Sequence, residues 1–355
     1  MRMSNTSRLC ALMARAQAGE ELTLGFFGGS ITQGSLSSTG ETCYAYLVYQ
    51  WWVKAFPRAK FHYVNGGIGG TSSHFGVARA VQDLLQYQPD FVVVDFSVND
   101  DPTNFFQETY EGLIRKILTW TSEPAVLILN NVFYDTGASA QDLHNAVARH
   151  YGIPFASIRD TVYKRLKAGE WNREDISPDG LHPNDKGHAL VAGELCAVLE
   201  QFKEAESTLG NWAVPAPLTV NAYESAHLRT TLDTVPVLSG FRADSEEKHG
   251  HLDTFKNGWI GKSLGDSITF EVEASCIAVQ YRRSVHRPAP MARVTVDGGA
   301  VVTLDGSFDE DWGDALRIET LLHHGTPGRH TVEVKIVQAG EAAGAPFYLL
   351  ALLTD

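Results

Sequence analysis

The run Phe91-Val92-Val93-Val94-Asp95-Phe96, followed at once by Ser97-Val98-Asn99-Asp100, decides the fold class of the first half of this chain. Six residues with a single polar member cannot alternate between a wet and a dry face. They describe a strand covered on both sides, as in a parallel sheet flanked by helices. An amphipathic stretch, Ser73–Tyr87, precedes the run and another, Phe105–Thr119, follows it. The same alternation extends from residue 21 to about 202. Strands are predicted at Leu22–Phe27, Phe61–Val64 and Ala125–Asn130, with a short fifth at Ile153–Phe155. Helices are predicted at Tyr44–Phe56 (closed by Pro57, which cannot continue one), Ala140–Tyr151, Ile158–Lys167 and Asn184–Phe202. This pattern implies an α/β domain with a parallel sheet and helices on both faces.

The rhythm changes after Phe202. Gly210–Pro217 reads as a loop, and beyond it lie short period-two segments: Ser267–Val272, Cys276–Tyr281, Ala292–Val296, Ala300–Leu304, Ala315–Leu322, His330–Val337 and Phe347–Leu353. Turn residues such as Asp297-Gly298-Gly299 and Asp305-Gly306 separate them. Many short strands at this spacing predict an all-β sandwich of jelly-roll type. The expected domains are therefore 1–205 and 206–355, with the boundary in the region 205–220.

Composition narrows the function. The chain has 355 residues, enough for two cores, and a net charge of −13. That charge argues against nucleic acid or an anionic membrane as partner and is compatible with neutral substrates such as sugars. No stretch approaches the roughly 20 consecutive apolar residues of a membrane span. The N-terminal segment lacks the apolar core of a secretory signal, and Leu9, Leu12, Met13 and Ala16 suggest one face of a short helix. Cys10, Cys43, Cys196 and Cys276 are isolated, without metal-like spacing, and read as free thiols. The expectation is a cytoplasmic protein. A homo-oligomer is left open.

Four separated segments carry the chemistry: Gly28-Gly29-Ser30-Ile31-Thr32, Asn65-Gly66-Gly67-Ile68-Gly69-Gly70-Thr71, Ser97-Val98-Asn99-Asp100 and Asp179-Gly180-Leu181-His182-Pro183. They supply a serine hydroxyl, a glycine amide, an asparagine amide and an Asp/His pair. Those are the parts of serine-based acyl transfer: nucleophile, oxyanion donors and an oriented base. Each segment alone has a plainer reading. Ser30 could be a helix N-cap, Gly66–Gly70 a flexible turn or phosphate cradle, Asn99 a loop stabiliser, and Asp179-x-x-His182 a surface turn. A phosphate loop would want a Gly-Lys-Ser/Thr ending, and an α/β-hydrolase elbow would want glycine where Thr32 stands. Asp100 and Asp101 read as loop acids and His323-His324 as a solvated turn, while His74 and Tyr134 are weaker pocket candidates. The histidines show no metal-site spacing, and no metal or cofactor is expected.

Across roughly residues 20–202 the four blocks resemble the SGNH hydrolases, also called the GDSL esterase/lipase superfamily. The resemblance implies a flavodoxin-like three-layer α/β/α fold. It implies Ser30 as nucleophile, His182 as general base, Asp179 as its orienting acid, and the amides of Ser30, Gly70 and Asn99 as the oxyanion hole. This chain departs from the family where Gly28-Gly29-Ser30 replaces Gly-Asp-Ser, which puts rate and subfamily in question more than reaction class. Gly265-Asp266-Ser267-Ile268 matches that first block better by letters. However, Ser267 opens an alternating strand with no helix after it, so a hairpin turn is expected there. An appended β domain in this family often accompanies carbohydrate esterases. The expectation is a serine esterase removing short acyl groups, foremost acetyl, from a small-molecule or oligosaccharide ester. A catalytically silent saccharide-binding protein and an acyltransferase or lipase of the same fold are the alternatives. Trp259 and Trp312 are the aromatic candidates for stacking on a sugar.

Overall fold

The computed structural model describes residues 5–203, 212–341 and 344–355. Packing divides the chain into two compact units, Met1–Glu224 and Ser225–Asp355.

In the first unit five strands form one parallel sheet: β1 (Glu21–Gly28), β2 (Lys60–Asn65), β3 (Phe91–Asp95), β4 (Ala125–Asn130) and β5 (Phe155–Ser157), in the order β2-β1-β3-β4-β5. Every residue of β3 and β4 is buried, as expected of strands without an exposed face. Helices α1 (Asn5–Ala18), α3 (Tyr44–Ala55) and α8 (Asp185–Lys203) cover one face. Leu9, Leu12, Met13 and Ala16 of α1 join that core beside Val48, Trp52, Val191 and Leu195. Helices α4 (Ser73–Asp83), α5 (Asn104–Leu118) and α6 (Gln141–Tyr151) cover the other. The order reverses between β1 and β3, the switch point whose carboxyl-edge crevice binds ligands in open α/β sheets. Ser30 follows β1 and Asn99 follows β3, so topology alone brings the first and third segments together.

Two expected helices are interrupted. Ser73–Tyr87 is α4 followed by a 3₁₀ turn at Leu85–Tyr87, and Ile158–Lys167 begins with a π turn, Arg159–Tyr163, before the short α7 (Lys164–Lys167). The expected boundary at 205/206 lies outside the described residues. Beyond it, 215–224 is strapped to α5. Glu111 accepts from the Thr219 amide (2.7 Å), Glu108 from the Ala222 amide (2.9 Å), and Arg115 donates to Pro215 O (2.7 Å) and Glu224 (2.6 Å).

The second unit is a sandwich of antiparallel sheets. One has the order β13-β12-β15-β10-β7, from Val302–Asp305, Met291–Val296, Gly328–Gln338, Ser267–Ala274 and Val237–Ser239. The other has the order β14-β11-β16-β9-β8, from Ala315–Leu322, Ile277–Arg283, Phe347–Thr354, Trp259–Gly261 and Arg242–Ala243, with β6 (His227–Arg229) also pairing β16. Strands β6 to β9 span only two or three residues, too short to show an alternation. Phe270, Val294 and Val334 from one sheet meet Trp259, Val279 and Leu349 from the other in a single core. Trp259 is thus a core residue, 1 % exposed and edge-on to Phe270, and is unavailable to a sugar. Trp312 is 64 % exposed. The Gly265-Asp266-Ser267 turn also differs from expectation. It joins β9 of one sheet to β10 of the other, so it is an arch between layers rather than a hairpin. Among the described residues no helix is long and apolar enough to cross a membrane.

Candidate active site

Ser30 opens the one-turn helix α2 (Ser30–Gln33) directly after β1, and its carbonyl accepts from the amides of Gly34 and Ser35. Its hydroxyl Oγ lies 2.8 Å from His182 Nε2, and His182 Nδ1 lies 2.7 Å from Asp179 Oδ2. Asp179 Oδ1 accepts from the amides of Leu181 (2.9 Å) and His182 (2.7 Å), so one carboxylate shapes the loop and orients the ring. Burial pushes the Asp179 carboxyl upward, but the hydrogen bonds from the His182 ring and the two amides win and hold it below its ordinary value. A carboxyl held below its ordinary value is ionised at neutral pH, so Asp179 presents a charged acceptor to the His182 ring.

The Asp179–His182 loop is braced from outside. Gly180 has φ +80°, and a Cβ there would run into the Asp135 carboxylate, 2.6 Å from its Cγ. The Tyr134 amide donates to Gly180 O (2.7 Å). Arg173 donates to the carbonyls of Ser177 (3.2 Å) and Pro178 (2.8 Å) and pairs with Asp135 at 3.0 Å. His188 of α8 ties that helix to the segment after the serine turn: it accepts from the Tyr44 amide at Nδ1 (3.2 Å), which leaves Nε2 to donate to Ser35 O (3.2 Å). Burial pushes the His188 pKa down to about 4, so the ring is neutral and purely a brace.

The glycine-rich segment is zipped to the serine turn. Asn65 Nδ2 donates to Thr32 O (2.8 Å), the Gly69 amide donates to Gln33 Oε1 (2.7 Å), and the Ile68 amide donates to Gly28 O (3.1 Å). A Cβ on Gly69 would stand 3.6 Å from Ser30 Cβ, which puts this loop against the hydroxyl-bearing residue. Gly70 follows at φ +67° with open space where a side chain would be. Beneath both loops lies Arg79 of α4, 1 % exposed, whose guanidinium donates to Gly66 O (2.6 Å) and Gly28 O (2.9 Å). It also meets Asp83 (3.1 Å) and packs over the Phe27 ring at 4.2 Å.

Asn99 lies against the serine turn through its side-chain amide, which faces Gly29. Its neighbour Asp100 is buried, accepting from the Ser73 amide (2.8 Å) and bonding His144 Nε2 (3.0 Å). Asp100 therefore ties the third segment to the start of α4, immediately after the glycine loop. Asp101 is exposed, as are His323 and His324. His74 is enclosed by the rings of Phe105 and Tyr223, and Tyr134 is 2 % exposed, so these side chains belong to the core. Asp95, under the turn, accepts from Asn131 (2.8 Å) and Thr32 (3.4 Å).

The fold thus brings Ser30, His182 and Asp179 into one hydrogen-bonded line and seats the Gly70 and Asn99 segments beside Ser30. Arg79, Arg173 and His188, which brace these loops, were not singled out from sequence. Arg79 had a signal, as a lone cation inside Phe75-Gly-Val-Ala-Arg-Ala-Val81.

Residues 26–190, which span all four segments, match the model of the GDSL-like Lipase/Acylhydrolase family. The chain is 50 % identical to a crystallised two-domain esterase active on acetylated mannans, covering 99 % of this chain and 96 % of that one with a TM-score of 0.96. A crystal structure of a two-domain esterase active on acetylated mannans, co-crystallised with mannopentaose, is 51 % identical, with 98 % and 94 % covered and a TM-score of 0.94. Thioesterase 1/protease 1/lysophospholipase L1 of Escherichia coli (strain K12) is 26 % identical over 209 residues, 56 % of this chain and 92 % of that protein. The chain belongs to the GDSL-like lipase/acylhydrolase family of SGNH hydrolases.

Proposed function

We propose that this protein is a serine esterase that removes acetyl groups from an oligosaccharide through an acyl-enzyme. The observation that carries this reading is the Ser30–His182–Asp179 line, 2.8 and 2.7 Å between its polar atoms. Ser30 Oγ attacks the ester carbonyl while His182 Nε2 takes its proton, and Asp179 stabilises the imidazolium. The tetrahedral oxyanion is held by the amides of Ser30 and Gly70 and by Asn99 Nδ2. His182 then gives its proton to the departing sugar oxygen, which leaves as a hydroxyl, and water clears the acyl group by the same route. The acetyl and saccharide parts rest on the 50 % identity, over nearly the whole chain, to an esterase active on acetylated mannans. In the β unit the exposed Trp312, edge-on to Phe308 at 5.1 Å, is the aromatic surface we assign to sugar stacking. Among the described residues no disulfide joins the cysteines, which supports a reducing, cytoplasmic setting.

The test is hydrolysis of p-nitrophenyl acetate, butyrate and octanoate, then of acetylated manno-oligosaccharides, by wild type and Ser30→Ala. Activity that falls with acyl length and vanishes in Ser30→Ala is expected. Wild-type rates in Ser30→Ala refute the nucleophile assignment. A folded wild type that is silent on every ester, yet binds the oligosaccharide, turns the reading toward a binding protein.

A further inference from the structure

Where the family's first block carries Asp before the serine, this chain carries Gly29. Its backbone does not require glycine, since φ −88° and ψ −149° lie outside the left-handed region. Its peptide is ordinary in its bonding: the N–H donates to Asp95 O (3.3 Å) and the carbonyl accepts from the Gln33 amide (3.0 Å). The constraint comes from across the turn. A Cβ on Gly29 would overlap Asn99 Oδ1 and stand 2.9 Å from Asn99 Cγ and 3.2 Å from Nδ2.

What would have to yield differs sharply between the two glycines. A Cβ on Gly28 would meet the main-chain carbonyl of Asp95 inside the sheet, which cannot move aside. The three atoms nearest a Cβ on Gly29 all belong to the end of one asparagine side chain. The Asn99 main chain is pinned, with its amide on Phe96 O (3.0 Å) and Asp100 held by Ser73 and His144. Relief of these closest contacts comes from rotation of the Asn99 side chain. That rotation leaves the fold intact and carries the amide away from the serine.

We infer that Gly29 is a positioning residue: its missing side chain is what lets the Asn99 amide lie on the nucleophile turn. The departure from Gly-Asp-Ser is then part of how this chain seats an oxyanion donor, and not the mark of a lost enzyme. The inference rests on reading Asn99 as an oxyanion donor to a Ser30 nucleophile. It has a counter-intuitive consequence, since restoring the family's residue with Gly29→Asp slows the enzyme.

The experiment measures kcat, KM and Tm with p-nitrophenyl acetate for wild type, Gly29→Ala, Gly29→Asp, Asn99→Ala and the double variant Gly29→Ala/Asn99→Ala. Loss of one oxyanion donor lowers kcat by about 10²–10³, and a misplacement of about 1 Å reaches a similar size. Gly29→Ala is expected to lose about 10²-fold in kcat with KM within about threefold and Tm close to wild type. Gly29→Asp is expected to be at least as slow. Because both residues act through one amide, the double variant is expected to match Asn99→Ala within about threefold. Losses that multiply in the double variant overturn the inference, as does a collapse of Tm in Gly29→Ala, which would put the strain on the fold. Gly29→Ala at wild-type kcat beside a slow Asn99→Ala overturns the inference alone. Asn99→Ala at wild-type kcat overturns the oxyanion reading, and the inference with it.

Discussion

Replacing Arg79 by methionine separates what holds the two glycine loops from what holds the fold. The stem survives in the variant, but three donated hydrogen bonds do not: those to Gly66 O (2.6 Å), Gly28 O (2.9 Å) and Asp83 Oδ2 (3.1 Å). Both charged partners are desolvated, with side chains 1 % and 7 % exposed, so solvent cannot take over from the missing guanidinium. Breaking a buried pair by removing one member costs about 3–5 kcal/mol, because the other charge is left stranded. In a domain of 150–250 residues each kcal/mol is worth roughly 2–4 °C, so Tm should fall by about 6–20 °C. The kcat measured below the transition should fall at least about tenfold, since Gly28 lies two residues from Ser30 and Gly66 four from Gly70, and sub-ångström spacing matters there. The double variant Arg79→Met/Asp83→Leu removes the stranded carboxylate. It is expected to regain part of the stability but none of the kcat, because the Gly28 and Gly66 carbonyls still lack their donor. Thermal unfolding followed by circular dichroism, beside p-nitrophenyl acetate kinetics, reads both quantities. A Tm within 2 °C of wild type, or a kcat that recovers together with Tm in the double variant, refutes this reasoning.

Two further outcomes follow from buried carboxylates. Burial raises the Asp95 carboxyl from 3.8 to about 7, opposed by hydrogen bonds from Asn131 and Thr32. The native state thus keeps a proton that the unfolded chain releases, so the stability contributed by Asp95 is complete below pH 3.8 and lost as pH rises through 7. Asp95→Asn should gain in Tm relative to wild type between pH 5 and pH 8, and a gain that shrinks over that range refutes the assignment. Glu108, Glu111 and Arg115 of α5 bind 215–224, so a catalytic fragment ending at Glu224 should be soluble and cooperatively folded. One ending at residue 205 should lose stability, because Glu108, Glu111 and Arg115 each lose hydrogen bonds to the strap, and equal unfolding midpoints for the two fragments would show that the strap contributes nothing.

Much of the catalytic unit was legible because its signals are local. The apolar run at residues 91–96 has no wet face, and Pro57 stops α3 wherever the rest of the chain lies. The four short segments were recognisable because each pairs a reactive residue type with the glycines or turn residues that present it. In the β unit, strands of eight residues such as Ser267–Ala274 show their alternation, whereas Trp259–Gly261 is too short to show one. Composition could not tell an exposed tryptophan from a buried one, and Trp259 proved to be core.

The sequence by itself determined the chemistry on offer, namely a serine, a histidine with an acid three residues before it, and amides on glycine-rich turns, because side-chain type and backbone permissiveness are properties of single residues and their neighbours. Only the tertiary structure decided which of these meet, since Ser30 and His182 are 152 positions apart and 2.8 Å distant. Only it could show that Arg79 cross-ties two loops, that 215–224 packs with the first unit, and that Gly29 faces Asn99. Those are contacts between residues remote in sequence, and packing and desolvation are set by what surrounds a group in space.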